Sequence, residues 1–209
     1  MTATQEARSV RYLALGDSYT IGESVAVDER WPVRLAGELE KTGFGAVEVQ
    51  IVARTGWTTS ELDEGIDDAE PQGPFGLVSL LIGVNNQFRG LDIGGYRVEL
   101  VGLLDEAIRF AGGDPSRVIV LSIPDWGVTP FGASYEPAKV ATEIDAFNAI
   151  GEEEARRTGA HWIDVTPISR RDDPGLVADD GLHPSGAQYA AWVELILPVA
   201  QQALGGSRN

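Results

Sequence analysis

The chain has no cysteine, which excludes disulfides and thiolate metal sites. It has two histidines, His161 and His183. An Asp-x-x-His pair at Asp180 and His183 therefore has too few partners for zinc, and neither a metal nor a cofactor is expected. No apolar run is long enough to cross a bilayer; the longest, around Leu77 to Val84, is far too short. Met1 to Arg11 carries charges and lacks the apolar centre of a secretory signal, so a cytoplasmic chain without a membrane partner is expected; a chain with its signal removed would read alike. Basic residues are scarce: 16 Lys and Arg stand against 32 Asp and Glu, a formal net charge of −16. Such a surface repels nucleic acid and anionic membranes and favours a neutral or cationic ligand. A solvated acidic surface without functional meaning is the plainer account of the same charge.

What is present suits a globular fold. At 209 residues and 43% hydrophobic composition, the chain can bury a full core in one domain, 1–209. No repeat, heptad array or low-complexity tract divides it, and no pattern specifies an oligomeric state. Tyr12 to Leu15 reads as a short buried strand. A helix is predicted from Trp31-Pro32, with Trp31, Leu35 and Leu39 on one face and Gly43 and Gly45 ending it. Val47 to Val52 alternates as a second strand, and Thr58 with Glu61 forms a capping box that starts a helix. Asp63 to Gly76 reads as an acidic loop. The third strand, Leu77 to Ile82, is the most apolar and is expected at the centre. A helix over about Tyr96 to Ala111 turns Leu100, Leu104 and Ile108 inward. Arg117 to Ile123 is the fourth strand, followed by a loop holding Trp126, Phe131 and Tyr135. A helix over roughly Ala138 to Thr158 buries Ile144, Phe147 and Ala155, and His161 to Val165 is the fifth strand. Ser185 and Gln188 form a second capping box for a last helix, which Pro198 should kink or interrupt. Alternating strands and helices predict a parallel sheet with helices on both faces.

The residues able to do chemistry follow the strand ends. Gly16-Asp17-Ser18-Tyr19 follows the first strand, Gly56 the second, Gly83-Val84-Asn85-Asn86 the third and Trp126 the fourth. Asp180 and His183 follow the fifth. In a parallel sheet these ends share one edge, where open α/β sheets hold ligands. Acyl transfer from an ester needs a nucleophile, a base and donors for the oxyanion. Ser18 would attack, His183 would take its proton, and Asp180 would hold the imidazole. Backbone N–H groups of Ser18 and Gly56 with the Asn85 amide would form the oxyanion hole. Each residue also has a plainer reading. Gly-Asp-Ser is a common turn, Gly56 can end a strand, Asn85-Asn86 can satisfy turn backbone, and His183 can be an ordinary loop histidine. Trp57, Trp126 and Phe131 are candidates to line an acyl pocket, and buried packing accounts for each equally well. His161 reads as structural.

Taken together, Gly16-Asp17-Ser18-Tyr19, Gly56, Gly83-Val84-Asn85-Asn86 and Asp180-Gly181-Leu182-His183-Pro184 resemble the GDSL, or SGNH, hydrolases, named for the Ser, Gly, Asn and His that stand here in order. The resemblance spans residues 16 to 184. It implies a flavodoxin-like three-layer α/β/α sandwich with five parallel strands. It also implies esterase or lipase-like activity, with Ser18, Asp180 and His183 catalytic and Gly56 and Asn85 in the oxyanion hole. Two positions depart from the family pattern: Tyr19 replaces the usual leucine, and Asn86 the aspartate that often follows the oxyanion asparagine. The Gly-x-Ser-x-Gly elbow of the α/β-hydrolases is absent. Family members act on short-chain acyl esters, acetylated sugars, lysophospholipids and thioesters. Without a lid-like apolar stretch, a soluble esterase on small-molecule esters is expected rather than an interfacial lipase. A carbohydrate O-acetylesterase is the nearest competitor, since the aromatic loop Trp126 to Tyr135 can stack on sugar. The rival from another class is a non-catalytic flavodoxin-like module, either a binding module with Gly16 to Gly22 cradling phosphate or flavin or a degenerate family member serving as an interaction protein.

Overall fold

A computed structural model of the chain describes residues 9–205. Five strands form one sheet: β1 (Val10–Gly16), β2 (Val47–Ala53), β3 (Leu77–Leu81), β4 (Val118–Leu121) and β5 (His161–Ile163). All neighbours pair in parallel, in the order β2-β1-β3-β4-β5. The expected apolar β3 is central and buried along its whole length. The chain order reverses between β1 and β3, and such a reversal opens a crevice beyond the carboxyl ends of the two strands. Ser18 and Asn85 are carried into that crevice.

Eight α-helices join and cover the strands among the described residues: α1 (Ser18–Ile21), α2 (Trp31–Leu39), α3 (Thr59–Ala69), α4 (Val84–Phe88), α5 (Ile93–Phe110), α6 (Pro137–Thr158), α7 (Thr166–Ser169) and α8 (Gly186–Gly205). Helix α2 packs with α8, while α5 packs with both α3 and α6, so the sheet is covered on both faces. The amphipathic patterns explain this arrangement. Trp31, Leu35 and Leu39 of α2 are fully buried, as are Leu104 of α5 and Ile144 of α6. Each such leucine or isoleucine contributes roughly 1.5–3 kcal/mol by leaving water. The Trp31 indole N–H also donates to the Tyr19 carbonyl at 3.1 Å, which ties α2 to the turn carrying Ser18.

Several boundaries differ from expectation for physical reasons. The acidic segment after Thr58 is helical as far as Ala69. Leu62 and Ile66 are buried while Asp63, Glu64, Asp67 and Asp68 face solvent, so the charge is the outer face of an amphipathic helix. Helix α5 begins at Ile93 because the Asp92 side chain caps it, accepting from the Gly95 N–H at 2.8 Å. Strand β5 stops at Ile163, and α7 starts at Thr166. Helix α8 contains Pro198 without interruption. Burial of Trp192, Val193 and Ile196 before the proline, and Ala200 and Ala203 after it, holds the helix together despite the missing donor. At its start, the Ser185 hydroxyl accepts from the Gln188 N–H at 3.3 Å, but the Ser185 backbone N–H donates to the Leu176 carbonyl at 2.8 Å instead of the Gln188 side chain, so the capping box is half formed.

Candidate active site

Ser18 is the first residue of the short helix α1, immediately after β1. The Asp17 carboxylate caps that turn, accepting from the Tyr19 N–H at 3.0 Å. The amides of a first helical turn have no intrahelical partner, so the Ser18 N–H is available to a ligand. Gly16 is required by crowding: a Cβ there would lie 2.4 Å from the Leu81 carbonyl oxygen. Asp17 is fully buried, and its other carboxylate oxygen has no hydrogen-bond partner. Burial raises its pKa from 3.8 to about 7, with the backbone N–H groups of Tyr19 and Asp17 pulling weakly the other way.

Asp180 and His183 lie on a loop closed as a small hairpin. Val177 bridges Pro184, and the Ala178 N–H donates to the His183 carbonyl at 2.8 Å. Asp180 Oδ1 accepts from the backbone N–H groups of Leu182 and His183, both at 2.9 Å. Its Oδ2 meets His183 Nδ1 at 2.6 Å. An ionised carboxylate only accepts, so Nδ1 carries a proton, which in a neutral imidazole leaves the lone pair on Nε2. Burial pushes the Asp180 pKa up, but hydrogen bonds from Ser24, the His183 ring and the two backbone amides outweigh it and hold the group well below the usual carboxylate range.

Ser24 is a contributor that the sequence did not mark. Its hydroxyl donates to the same Asp180 Oδ2 at 2.7 Å. Ser24 sits at φ +63, left-handed backbone that few non-glycine residues adopt. Glu23, next to it, accepts a hydrogen bond from Thr55, so this loop touches both the Asp180 loop and the segment leading to Gly56.

Gly56 has φ +89, and a Cβ there would find no atom nearer than 3.8 Å. Backbone conformation, rather than crowding, requires the glycine. The Arg89 guanidinium donates to the Gly56 carbonyl at 2.5 Å, and Arg89 also pairs with Glu61 at 3.2 Å. The expected capping box at Thr58 and Glu61 is fully formed. Asn85 donates one amide hydrogen to the Trp57 carbonyl at 2.9 Å, leaving its second N–H free. Asn86, which departs from the family pattern, is buried and bound twice to Thr59. It accepts from the Thr59 N–H at 3.0 Å and donates to the Thr59 hydroxyl at 2.6 Å. Its amide therefore joins α4 to the start of α3.

Ser18, Gly56, Asn85 and His183 all line one cavity of about 150 Å³. Trp126 and Phe131 form part of its wall, with Phe88 and Leu182. Trp57 does not line it. Its ring lies over Gly65 of α3, where a Cβ would stand 2.1 Å from the indole, and only its backbone reaches Asn85. The glycine inside α3 leaves a slot that draws the ring away from the cavity. Tyr19 packs edge-on against the His183 ring, centroids 5.8 Å apart. His161 is remote from the cavity and meets the Ser116 carbonyl oxygen at 3.0 Å through Nε2, in keeping with a structural role. Among the described residues, no three His, Cys, Asp or Glu side chains come together as a metal ion requires, and no helix is long and apolar enough to cross a membrane.

The model of the GDSL-like lipase/acylhydrolase family matches residues 14–191. No curated protein matches the chain. Among solved structures, the chain is similar to TesA, with 20% identity, a TM-score of 0.73, and coverage of 93% of this chain and 99% of that one. It is similar to the lipase Lip_vut3 from a goat rumen metagenome, with 20% identity, a TM-score of 0.75, and coverage of 91% and 97%. It is also similar to Axe2, an acetylxylan esterase from Geobacillus stearothermophilus, with 18% identity, a TM-score of 0.68, and coverage of 94% of each chain. At these identities the likeness shows a shared fold.

Proposed function

The chain belongs to the GDSL-like lipase/acylhydrolase family, whose members are ester-cleaving serine hydrolases, and from that premise we propose that it hydrolyses short-chain carboxylic esters through an acyl-enzyme on Ser18. The observation that carries the proposal is the 2.6 Å contact of His183 Nδ1 with Asp180, on an imidazole lining the same cavity as the Ser18 hydroxyl. With Nδ1 protonated, Nε2 takes the Ser18 proton as Oγ attacks the ester carbonyl. The oxyanion receives the N–H groups of Ser18 and Gly56 and the free amide hydrogen of Asn85. His183 then returns the proton to the departing alkoxide. Water, deprotonated by the same nitrogen, attacks the acyl-enzyme; the carboxylic acid leaves and Ser18 regains its proton. At roughly 30 Å³ for each water-sized group, the 150 Å³ cavity has room for about five non-hydrogen atoms, which suits a short acyl chain. A non-catalytic module would leave the imidazole–carboxylate pair without a use.

A fluorophosphonate probe tests the assignment. The wild type is expected to be labelled on Ser18, and Ser18→Ala to abolish both labelling and hydrolysis of p-nitrophenyl butyrate. An adduct on a different serine would overturn it.

A further inference from the structure

A second, larger cavity of about 460 Å³ adjoins the first. Phe88 and Trp126 line both, so the two spaces share a wall. Their chemistry differs. Besides its oxyanion donors, the His183 ring and Thr55, the smaller cavity is walled by Tyr19, Val84, Phe88, Trp126, Phe131 and Leu182. The larger one adds Tyr135 and Val140 but brings in Gln87, Ser134, Glu136, Lys139 and Glu143.

We propose that this larger cavity binds the alcohol half of the ester, and that this half is an uncharged, hydroxyl-rich group the size of a single sugar ring. The inference rests on the reading of Ser18 as nucleophile, because the shared wall then places the leaving group beside Phe88 and Trp126. Size is the first argument: at roughly 30 Å³ per group, the space holds about fifteen non-hydrogen atoms, a sugar ring with its substituents. Polarity is the second. A long alkyl chain would strip water from Glu136, Lys139 and Glu143 and give no hydrogen bonds in return. Hydroxyl groups donate to carboxylates and accept from an ammonium, so a polyol serves all three. Charge is the third. Two carboxylates against one ammonium, on a chain of net charge −16, disfavour an anionic leaving group. A cation would meet Lys139 Nζ, which stands 3.9 Å from Glu143 and competes for that carboxylate, whereas hydroxyl groups use the carboxylates and the ammonium alike.

The walls are held in place before any ligand arrives. Gln87 is buried; its carbonyl oxygen accepts from the Trp126 indole N–H and its amide donates to Glu143, each at 2.8 Å. Trp126 in turn meets Tyr135 edge-on, centroids 4.9 Å apart, and Phe88 at 5.3 Å. Phe88 and Tyr135 remain 45% and 43% exposed, a cost in water that contact with the C–H face of a sugar ring would remove. Asp125 fixes the start of this aromatic loop, accepting from the Gly127 N–H at 2.9 Å and from Arg170 at 2.8 Å.

Binding and turnover test the proposal separately. Titrated calorimetrically into the Ser18→Ala protein, methyl glucoside should bind saturably and 1-hexanol should not compete with it. Lys139→Met and Glu136→Gln should each weaken that binding about fivefold, the loss of one hydrogen bond. In the active enzyme the same variants should lower the ratio of kcat/KM on glucose pentaacetate to that on p-nitrophenyl acetate by about the same factor. Absence of glucoside binding, displacement by hexanol, or an unchanged ratio would overturn the proposal. Glucoside binding that Lys139→Met weakens, in a protein that fails to hydrolyse p-nitrophenyl acetate, would uphold the cavity and refute the esterase reading alone.

Discussion

Replacing Asp180 with asparagine puts the proposed proton relay to its sharpest test, because the change is nearly isosteric and its consequence follows from the bonds already present. The new side chain would keep an oxygen for the Leu182 and His183 backbone amides, so the loop should remain folded. Its other end would become an NH2 group facing two donors, His183 Nδ1–H and the Ser24 hydroxyl. The imidazole resolves that conflict by moving its proton to Nε2, so that Nδ1 accepts. It then presents an N–H to Ser18 where a lone pair is required. Loss of the correct tautomer in a serine triad lowers kcat by about 10⁴, roughly 5 kcal/mol of barrier. The assay is kcat and KM on p-nitrophenyl acetate, with the unfolding midpoint measured in parallel. The expected result is a fall in kcat of about 10³–10⁴ at nearly constant KM, with a lowered midpoint because the charged acceptor is lost but a protein still folded at the assay temperature. A variant within tenfold of wild type, or a loss confined to KM, would refute the claim that Asp180 orients the base.

Two further outcomes follow from the same site. The Asp17 carboxyl, raised by burial from 3.8 to about 7, stays protonated in the native state over a range where the unfolded chain ionises. The contribution of Asp17 to stability should therefore fall as pH rises from about 4 to about 7 and level off above, by about 4 kcal/mol in all. Asp17→Asn keeps an acceptor for the Tyr19 N–H and cannot ionise, so its melting temperature relative to wild type should climb across that window; a difference independent of pH would refute this. Ser24→Gly removes one donor from Asp180 while suiting the φ of +63. The side chain is exposed, so about 1 kcal/mol, a fivefold fall in kcat, is expected from steady-state rates, and an unchanged kcat would show that the bond does not help position the carboxylate.

The sheet, its central strand and most helices are legible because their signals are local. Trp31, Leu35 and Leu39 recur at helical spacing, Thr58 and Glu61 cap reciprocally, and glycine breaks the chain where strands end. The positions expected of the site, Ser18, Gly56, Asn85 and His183, are legible as short motifs whose convergence follows from parallel topology alone. Long-range contacts leave no such trace. Ser24 bonds to a residue 156 positions away and lies in an unpatterned loop. Gln87 matters because the Trp126 indole and a glutamate meet at its amide, and Trp57 misleads because the slot that takes its ring belongs to Gly65, on the following helix. Its large aromatic surface is visible in the sequence; the direction it faces is not. The run from Asp63 to Gly76 reads as a loop because acidity and glycine mask the spacing of Leu62 and Ile66.

The small hairpin that closes the His183 loop also sets when the protein can first react. Its two sides are joined by backbone bonds, Ala178 to His183 and Ser185 to Leu176, and α8 begins directly behind it. On the ribosome, β1 to β5 leave the exit tunnel before the imidazole does, and α8, which packs on α2, follows later still. On this reading the chain stays chemically silent through most of its own synthesis, and the hydroxyl made first waits for almost the whole sequence before its partner arrives.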